Sequence, residues 1–173
     1  MNLGDIMGLV NGTVTLENNY QEWKKMFLEE KKYLESIFTK DNFTIEHVGS
    51  TAIKGLSSKP IIDIAIGVDD FNSLTKYLIS LEGIYTIKPN IEKGEILLIK
   101  ENEVETFSLI HVLPINSERY INLIKFRDIL NNNPDIVKEY ENLKLELASK
   151  YKDDRSMYTK SKNNFINKVL EKH

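Results

Sequence analysis

A single carboxylate interrupts the apolar sequence PIIDIAIGV at residues 60–68. The alternation typical of a β-strand places Asp63 and the small Ala65 on one face and a row of isoleucines on the other. Because an unpaired buried carboxylate is costly, Asp63 needs a cation, backbone N–H donors or a metal as its partner. An ion pair with Lys59 or Arg127 is the purely structural alternative, whereas the space beside Ala65 favours a ligand.

A Gly-Ser-Thr turn directly follows another strand pattern, at 43–48. Such a turn into a helix presents free backbone N–H groups and a hydroxyl to an anion, and its glycine lets a phosphate approach the main chain. Residues 51–62 then provide one helical turn and a loop before Asp63, which brings the turn and the carboxylate face to face. The turn residues that we predict to bind phosphate are Gly49, Ser50 and Thr51.

Three cationic side chains and one aromatic ring are further candidates for phosphate or nucleotide binding. Lys59 precedes the proline that opens the Asp63 strand, and Arg127 lies in an amphipathic helical pattern. Tyr158 and Lys162 are four residues apart and therefore share one helix face. Each has a structural alternative: a solvated loop lysine, an arginine that pairs with surface acids, and a tyrosine that only packs.

The elements that must position these residues follow from hydrophobic periodicity. Period-two patterns predict strands at 12–16, 43–48, 60–68, 84–88, 95–100 and 104–115. Period-3.6 patterns predict helices at 20–38, between 69 and 81, and throughout 117–173. Because the strands are followed by a run of helices, the order favours an α+β fold: a mixed β-sheet with flanking helices and a helical C-terminal third.

Composition narrows the class of protein. A chain of 173 residues is predicted to form a single domain over 1–173. The absence of cysteine excludes a disulfide framework, a thiol nucleophile and a thiolate metal site. A net charge of −3 does not indicate nucleic-acid binding, and no apolar run indicates a membrane span. With no signal-peptide pattern at 1–12, we expect a cytoplasmic protein whose partners are small molecules; the oligomeric state is not predicted.

The charge is unevenly distributed along the chain. Residues 117–173 carry an excess of lysine and arginine, whereas residues 1–116 carry an excess of aspartate and glutamate. Ordinary surface variation is one explanation. The sharper hypothesis is a basic helical face that closes over an acidic, metal-binding face around a phosphorylated ligand.

The sequence IEHVGSTAIKGLSSKPIIDIAIGV at 45–68 resembles the signature of the GrpB family. A Gly-Ser turn, a spacer of this length and an acidic residue in a hydrophobic strand are similar to the pattern of the nucleotidyltransferase fold. The resemblance extends along nearly the whole chain. Further similar segments are VTLENNYQEWKKMFLEEKKYLESIF at 14–38, LIHV at 109–112, FRDIL at 126–130 and DDRSMYTKSKNNFI at 153–166.

This resemblance implies an enzyme that transfers a nucleotidyl or phosphoryl group to a small acceptor. The implied ligand is a nucleotide or another phosphorylated metabolite. In that scheme Ser50 and its turn hold the triphosphate, and Asp63 holds a divalent metal, Mg²⁺ or Mn²⁺, that bridges it. Lys59 and Arg127 balance the phosphate charge.

One departure from the pattern bears on the chemistry. Nucleotidyltransferases of this fold carry a second carboxylate two residues after the first, where this chain has Ala65. His111, in the LIHV segment, is the candidate for the third site position, as metal ligand or general base. His47 is a further candidate metal ligand, and its alternative is a core histidine. The alternative function is therefore a non-catalytic nucleotide- or phosphometabolite-binding module with a degenerate metal site.

Overall fold

A computed structural model describes residues 9–38, 43–90 and 94–173. Within these ranges six strands form one mixed β-sheet. The strands are β1 (Leu9–Val10), β2 (Phe43–Val48), β3 (Ile62–Val68), β4 (Thr86–Asn90), β5 (Glu95–Glu101) and β6 (Glu105–Pro114). Their spatial order is β2-β3-β6-β5-β4, and β1 pairs with one end of β6.

Six α-helices accompany the sheet in the same described ranges. They are α1 (Tyr20–Ile37), α2 (Thr75–Leu81), α3 (Glu118–Asn132), α4 (Pro134–Lys150), α5 (Arg155–Ser161) and α6 (Asn163–Lys172). Short 3₁₀ turns at Ser50–Ala52 and Phe71–Leu74 follow β2 and precede α2. None of the described helices is long and apolar enough to cross a membrane.

The centre of the sheet is the parallel pair β3 and β6, which antiparallel β2 and β5 flank. The register places Asp63 beside Leu109 of β6 and beside Val48 of β2, and it places Ala65 beside His111. Because side chains alternate between faces, Asp63 and His111 project from the same face of the sheet.

The two faces of the sheet are covered differently. The isoleucine face of β3 packs against α1 and α2 in the largest apolar cluster, which includes Trp23 and Leu81. The opposite face, with Asp63, is covered by the four C-terminal helices. Their apolar residues form smaller clusters, so this half of the molecule leaves room between helices and sheet.

Helix α3 is fixed close to the sheet by its first turn. The Ser117 hydroxyl caps it by accepting a hydrogen bond from the Tyr120 backbone N–H, 3.3 Å away. The Tyr120 hydroxyl in turn hydrogen-bonds with the Thr44 hydroxyl of β2 at 2.6 Å. This contact passes over Gly67, where a Cβ would lie 2.5 Å from Thr44 Oγ1, so a glycine there lets the helix approach the strands.

The predicted α+β class, with a mixed sheet and a helical C-terminal part over 117–173, is confirmed. The predicted strand at 12–16 is wrong. Gly12 adopts a φ of +87° in a tight turn, and the Thr13 hydroxyl donates to the Val10 carbonyl at 2.8 Å. This local bonding diverts the chain from the sheet immediately after β1.

Candidate functional site

A cavity of about 700 Å³ lies between the Asp63 face of the sheet and helices α3 to α6. Its volume is typical of sites that bind small molecules or cofactors. Most of the residues predicted from the sequence line this one cavity. These residues are Gly49, Ser50, Thr51, Lys59, Asp63, His111, Tyr158 and Lys162.

Asp63 lies directly against the backbone of the Gly-Ser turn. A Cβ on Gly49 would lie 2.5 Å from Asp63 Oδ2 and 2.9 Å from Asp63 Cβ. Gly49 also has φ +69° and ψ −168°, a conformation essentially restricted to glycine. The glycine therefore serves two purposes, because it allows the turn to form and lets the carboxylate reach the cavity floor.

Behind Asp63, a chain of charged groups crosses two strands. His111 Nε2 lies 3.9 Å from Asp63 Oδ1, which is ion-pair range. The other ring nitrogen, Nδ1, hydrogen-bonds to Glu95 Oε1 on β5, and Arg119 Nε of α3 lies 3.2 Å from Glu95 Oε2. Because a carboxylate stands at each ring nitrogen, both nitrogens favour their protonated form.

The pKa shifts follow from this alternation of charge. Burial would lower the pKa of His111, but its interactions with Asp63 and Glu95 raise it to about 8. Burial would raise the pKa of Asp63, yet His111 and the charges of Lys59 and Lys162 hold it below its ordinary value. At neutral pH the site therefore contains an ionised aspartate beside a protonated histidine.

Lys59, Lys162 and Arg155 form a second charged wall of the cavity, here called the cationic wall. Burial lowers the pKa of Lys59 to about 7, with repulsion from Arg155 and Lys162 adding to the effect. Burial lowers the pKa of Lys162 to about 8, and Arg155 again adds repulsion. Within the described residues, none of the three has a carboxylate oxygen within 4 Å.

Tyr158 lies at the centre of the cationic wall. The ammonium groups of Lys59 and Lys162 lie over its ring, 5.8 and 4.5 Å from the centroid. The side chain is fully buried, and its hydroxyl has no hydrogen-bond partner among the described residues. A buried hydroxyl without a partner in a cavity wall is available to a ligand.

Two residues of α4 support the loop that leads to β3. The Lys144 ammonium is buried and donates to the Ser57 carbonyl and to Ser58 Oγ, 3.1 Å away in the second case. Burial raises the pKa of Tyr140, and an interaction with Ser50 partly opposes this shift. Both side chains line the cavity while tying helix, loop and turn together.

The structure does not bring His47 to the cavity. The antiparallel register pairs His47 with Ile64, so its ring projects from the α1 face of the sheet, opposite to Asp63. The ring stacks on Phe27 with centroids 4.7 Å apart, and its Nε2 hydrogen-bonds with Thr51 Oγ1 at 3.0 Å. Burial lowers the pKa of His47 to about 4. Because the ring lies on the face opposite to Asp63, the geometry gives the metal-ligand role of His47 no support.

Arg127 is likewise placed outside the cavity. Its guanidinium donates to Glu46 Oε2 at 2.7 Å, to the His47 carbonyl at 3.0 Å and to Asp128 Oδ1 at 2.8 Å. These bonds fasten α3 to the edge strand β2. The geometry matches the structural alternative for Arg127 and gives the phosphate-clamp interpretation no support.

The cavity contains functional candidates that the sequence analysis missed. Glu95 and Arg119 complete the charged chain behind His111, and Arg155 and Lys144 add cations from α5 and α4. Arg155 has a signal in the sequence, because it lies three residues before Tyr158 on the same helical stripe. Glu95 has none, since its contact depends on how β5 pairs with β6.

The donor set does not fit a metal centre built from several protein ligands. Within residues 9–38, 43–90 and 94–173, no three or more His, Asp and Glu side chains are grouped to hold an ion. Asp63 faces a protonated His111 and two lysines, whose charges oppose a divalent cation. Glu95 is engaged by His111 and Arg119.

We expect Gly49→Ala to destabilise the protein more than Gly55→Ala, by about 1–3 kcal/mol. Both glycines have positive φ, but a Cβ at Gly55 meets nothing within 4 Å, whereas one at Gly49 meets Asp63. Urea denaturation of both variants measures the difference. The extra loss of stability in Gly49→Ala should become smaller when that variant is combined with Asp63→Ala. Equal losses of stability for Gly49→Ala and Gly55→Ala would contradict the close contact between Gly49 and Asp63.

The raised pKa of His111 predicts a specific pH dependence. Because the folded-state pKa of about 8 exceeds the ordinary histidine pKa of 6.5, the stabilisation is complete below pH 6.5 and is lost as pH rises through 8. The free-energy advantage of wild type over His111→Gln should therefore fall by about 2 kcal/mol between pH 6 and pH 9. Denaturant titrations at several pH values measure it, and an advantage that is constant or grows with pH would contradict the charged chain.

Comparisons with known proteins agree with the fold and the motifs. The family model described as GrpB protein matches residues 13–172. The chain is 35% identical to the glutamate-rich protein GrpB of Alkalihalophilus pseudofirmus, over 95% of this chain and 98% of that protein. It is 31% identical to a UPF0157 protein of Pseudomonas aeruginosa, over 86% of this chain and 62% of that protein.

A solved structure is similar over almost the entire fold. The crystal structure of the conserved protein GrpB from Enterococcus faecalis superimposes with a TM-score of 0.84 at 27% sequence identity. The match covers 91% of this chain and 96% of that one. Together with the family model, these similarities show that the chain belongs to the GrpB family.

Proposed function

We propose that the cavity binds a phosphorylated small molecule, with a nucleotide as the favoured member of that class. The observation that supports this proposal best is the cationic wall. Lys59, Lys162 and Arg155 share one partly buried space with Asp63, and none of the three has a carboxylate oxygen within 4 Å among the described residues. A phosphate group carries the compact negative charge and the hydrogen-bond acceptors that such a wall would bind.

The charge balance of the cavity-lining residues supports the same ligand class. The depressed pKa values of Lys59 and Lys162 mean that burial and mutual repulsion penalise their charged forms. A bound phosphate would relieve this repulsion and restore both ammonium groups. Binding should therefore take up protons near pH 8, and affinity should fall as pH rises above the free-state pKa values.

In this proposal a divalent cation would bind only together with the phosphates. Asp63 is the carboxylate on the cavity floor that Mg²⁺ or Mn²⁺ would contact, and the surrounding lysines supply positive charge without it. We therefore propose that phosphate binding does not depend on the metal. A titration with and without Mg²⁺ separates the two contributions.

For catalysis, we propose that Asp63 accepts the proton of an acceptor hydroxyl. The acceptor oxygen would then form a bond to phosphorus, the phosphoanhydride P–O bond would break, and pyrophosphate or a nucleoside diphosphate would leave. His111, protonated between Asp63 and Glu95, would keep Asp63 ionised and orient it. This assignment replaces the general-base role expected for His111, because a protonated imidazole has no free lone pair to act as a base.

The alternative is a binding module without catalysis. Ala65 supports it, since the second carboxylate of the two-metal arrangement is absent. The two functions share the cavity and the cationic wall. They differ only in whether Asp63 accepts a proton from an acceptor hydroxyl. Turnover therefore distinguishes them, whereas binding does not.

We expect Lys59→Met and Lys162→Met each to weaken the binding of inorganic tripolyphosphate and of ATP by roughly 10–100-fold, as for the loss of a charged hydrogen bond. Lys160→Met is the matched control, because it removes the same charge from an exposed position outside the cavity. Isothermal titration calorimetry at pH 7 measures the affinities. An equal loss in the control, or no loss in either cavity variant, would show that the cationic wall is not the site.

We expect wild type to release pyrophosphate or a nucleoside diphosphate from a nucleoside triphosphate when small hydroxyl acceptors are supplied. Asp63→Asn should lose at least 100-fold of that rate, within the range of general-base contributions. The affinity for the triphosphate should change by less than about threefold, since the lysines remain. Coupled phosphate assays measure the rate. If wild type binds the nucleotide and never turns it over, the binding module is the correct function.

A further inference from the structure

A part of the cavity, here called the amide-lined half, is built from one stripe on each of two helices. The spacing of three and four residues marks a single face on each helix. On α3 the stripe consists of Glu118, Arg119, Asn122, Leu123 and Phe126; on α6 it consists of Asn163, Ile166, Asn167 and Leu170. The Lys125 ammonium donates to the Leu170 carbonyl at 3.0 Å and so ties the two helices together.

The composition of these stripes is unusual for faces that only pack. Leu123, Phe126, Ile166 and Leu170 provide an apolar wall, and three amides on the same two stripes line the cavity beside them. Asn163 and Asn167 are exposed and Asn122 is half-buried, and within the described residues their side-chain amides make no hydrogen bond to another residue. These amides are thus free to recognise a ligand.

Phe126 gives the wall an aromatic surface with a fixed orientation. Its ring is almost fully buried and meets the Tyr140 ring edge-on, with centroids 5.5 Å apart and planes at 87°. Tyr140 in turn stacks on Phe165 at 4.9 Å. This aromatic group is held rigidly from behind, so the wall is already formed before a ligand binds.

We infer that this amide-lined half holds a nucleobase, whose 5′-phosphate lies against the cationic wall. The inference rests on the proposed function and specifies its substrate class. A nucleobase has an apolar face for Leu123 and Phe126, and its edge carries the alternating donors and acceptors that asparagine amides match. The cavity volume of about 700 Å³ accommodates a base, a sugar and phosphates.

Other phosphorylated ligands satisfy only part of this lining. A sugar phosphate would leave the apolar wall against water. A phosphorylated acyl chain would cover the apolar wall but would bury the amides without partners, which is costly. The nucleobase satisfies both halves of the lining.

The test compares four nucleoside 5′-monophosphates with ribose 5-phosphate and inorganic tripolyphosphate by calorimetry on the full chain. We expect at least one nucleoside monophosphate to bind 10-fold or more tightly than ribose 5-phosphate. Asn122→Ala and Asn167→Ala should remove about 10-fold of that nucleotide's affinity and leave the affinities for ribose 5-phosphate and tripolyphosphate unchanged. Asn164→Ala, an exposed neighbour outside the cavity, is the matched control and should change nothing.

Two results would overturn the inference in distinguishable ways. If all four nucleotides bind no more tightly than ribose 5-phosphate, or if the amide variants weaken every ligand equally, the nucleobase subsite is wrong while phosphate binding stands. If tripolyphosphate, ribose 5-phosphate and the nucleotides all fail to bind, the proposed function fails and the inference fails with it. Melting temperatures of the asparagine variants within about 2 °C of wild type confirm that the folded state is being compared.

Discussion

The site depends on one partly buried negative charge, the carboxylate of Asp63. A carboxylate within the central strand of a sheet is stable only if other groups compensate its charge. In this chain the compensation comes from two directions. His111 on the neighbouring strand provides one, with Glu95 favouring its protonated form, and lysines on the loop and helices above provide the other. The Gly-Ser turn also accommodates the Asp63 carboxylate, because Gly49 has no Cβ that would collide with it.

The loop before β3 and the C-terminal helices together bring more positive charge to the cavity than Asp63 needs. His111 already balances Asp63 from below, yet Lys59, Lys162 and Arg155 converge from above and repel one another. Such repulsion lowers stability in the absence of a ligand, and it is typical of sites where part of the charge belongs to a bound anion. The surplus of positive charge is therefore the physical basis for proposing a phosphorylated ligand. The unequal charge of the two parts of the sequence, basic after 117 and acidic before it, agrees with this arrangement.

Sequence reasoning predicted what depends on local periodicity. The alternation in 60–68 identifies the Asp63 face, and the spacing of Tyr158 and Lys162 identifies a helical stripe that faces the cavity. It could not predict what depends on strand register. The sequence assigns His47 and Asp63 each to a strand, but not the register between the two strands. The observed register pairs Val48 with Asp63, so His47 projects from the opposite face of the sheet. A register shift of one residue would place His47 on the same face as Asp63. For the same reason Glu95 could not be identified as the partner of His111, and the docking of Arg127 onto β2 could not be separated from a phosphate contact.

The most direct test of the central claim is to locate a bound anion. A crystal structure of the protein grown or soaked with ATP, without a metal, should show phosphate oxygens within hydrogen-bond distance, about 2.7–3.2 Å, of the Lys59 and Lys162 ammonium groups. Its occupancy should be lost in crystals of Lys162→Met prepared at the same concentration. An ATP phosphate bound elsewhere on the surface, while the cationic wall holds only water at saturating concentration, would contradict the account.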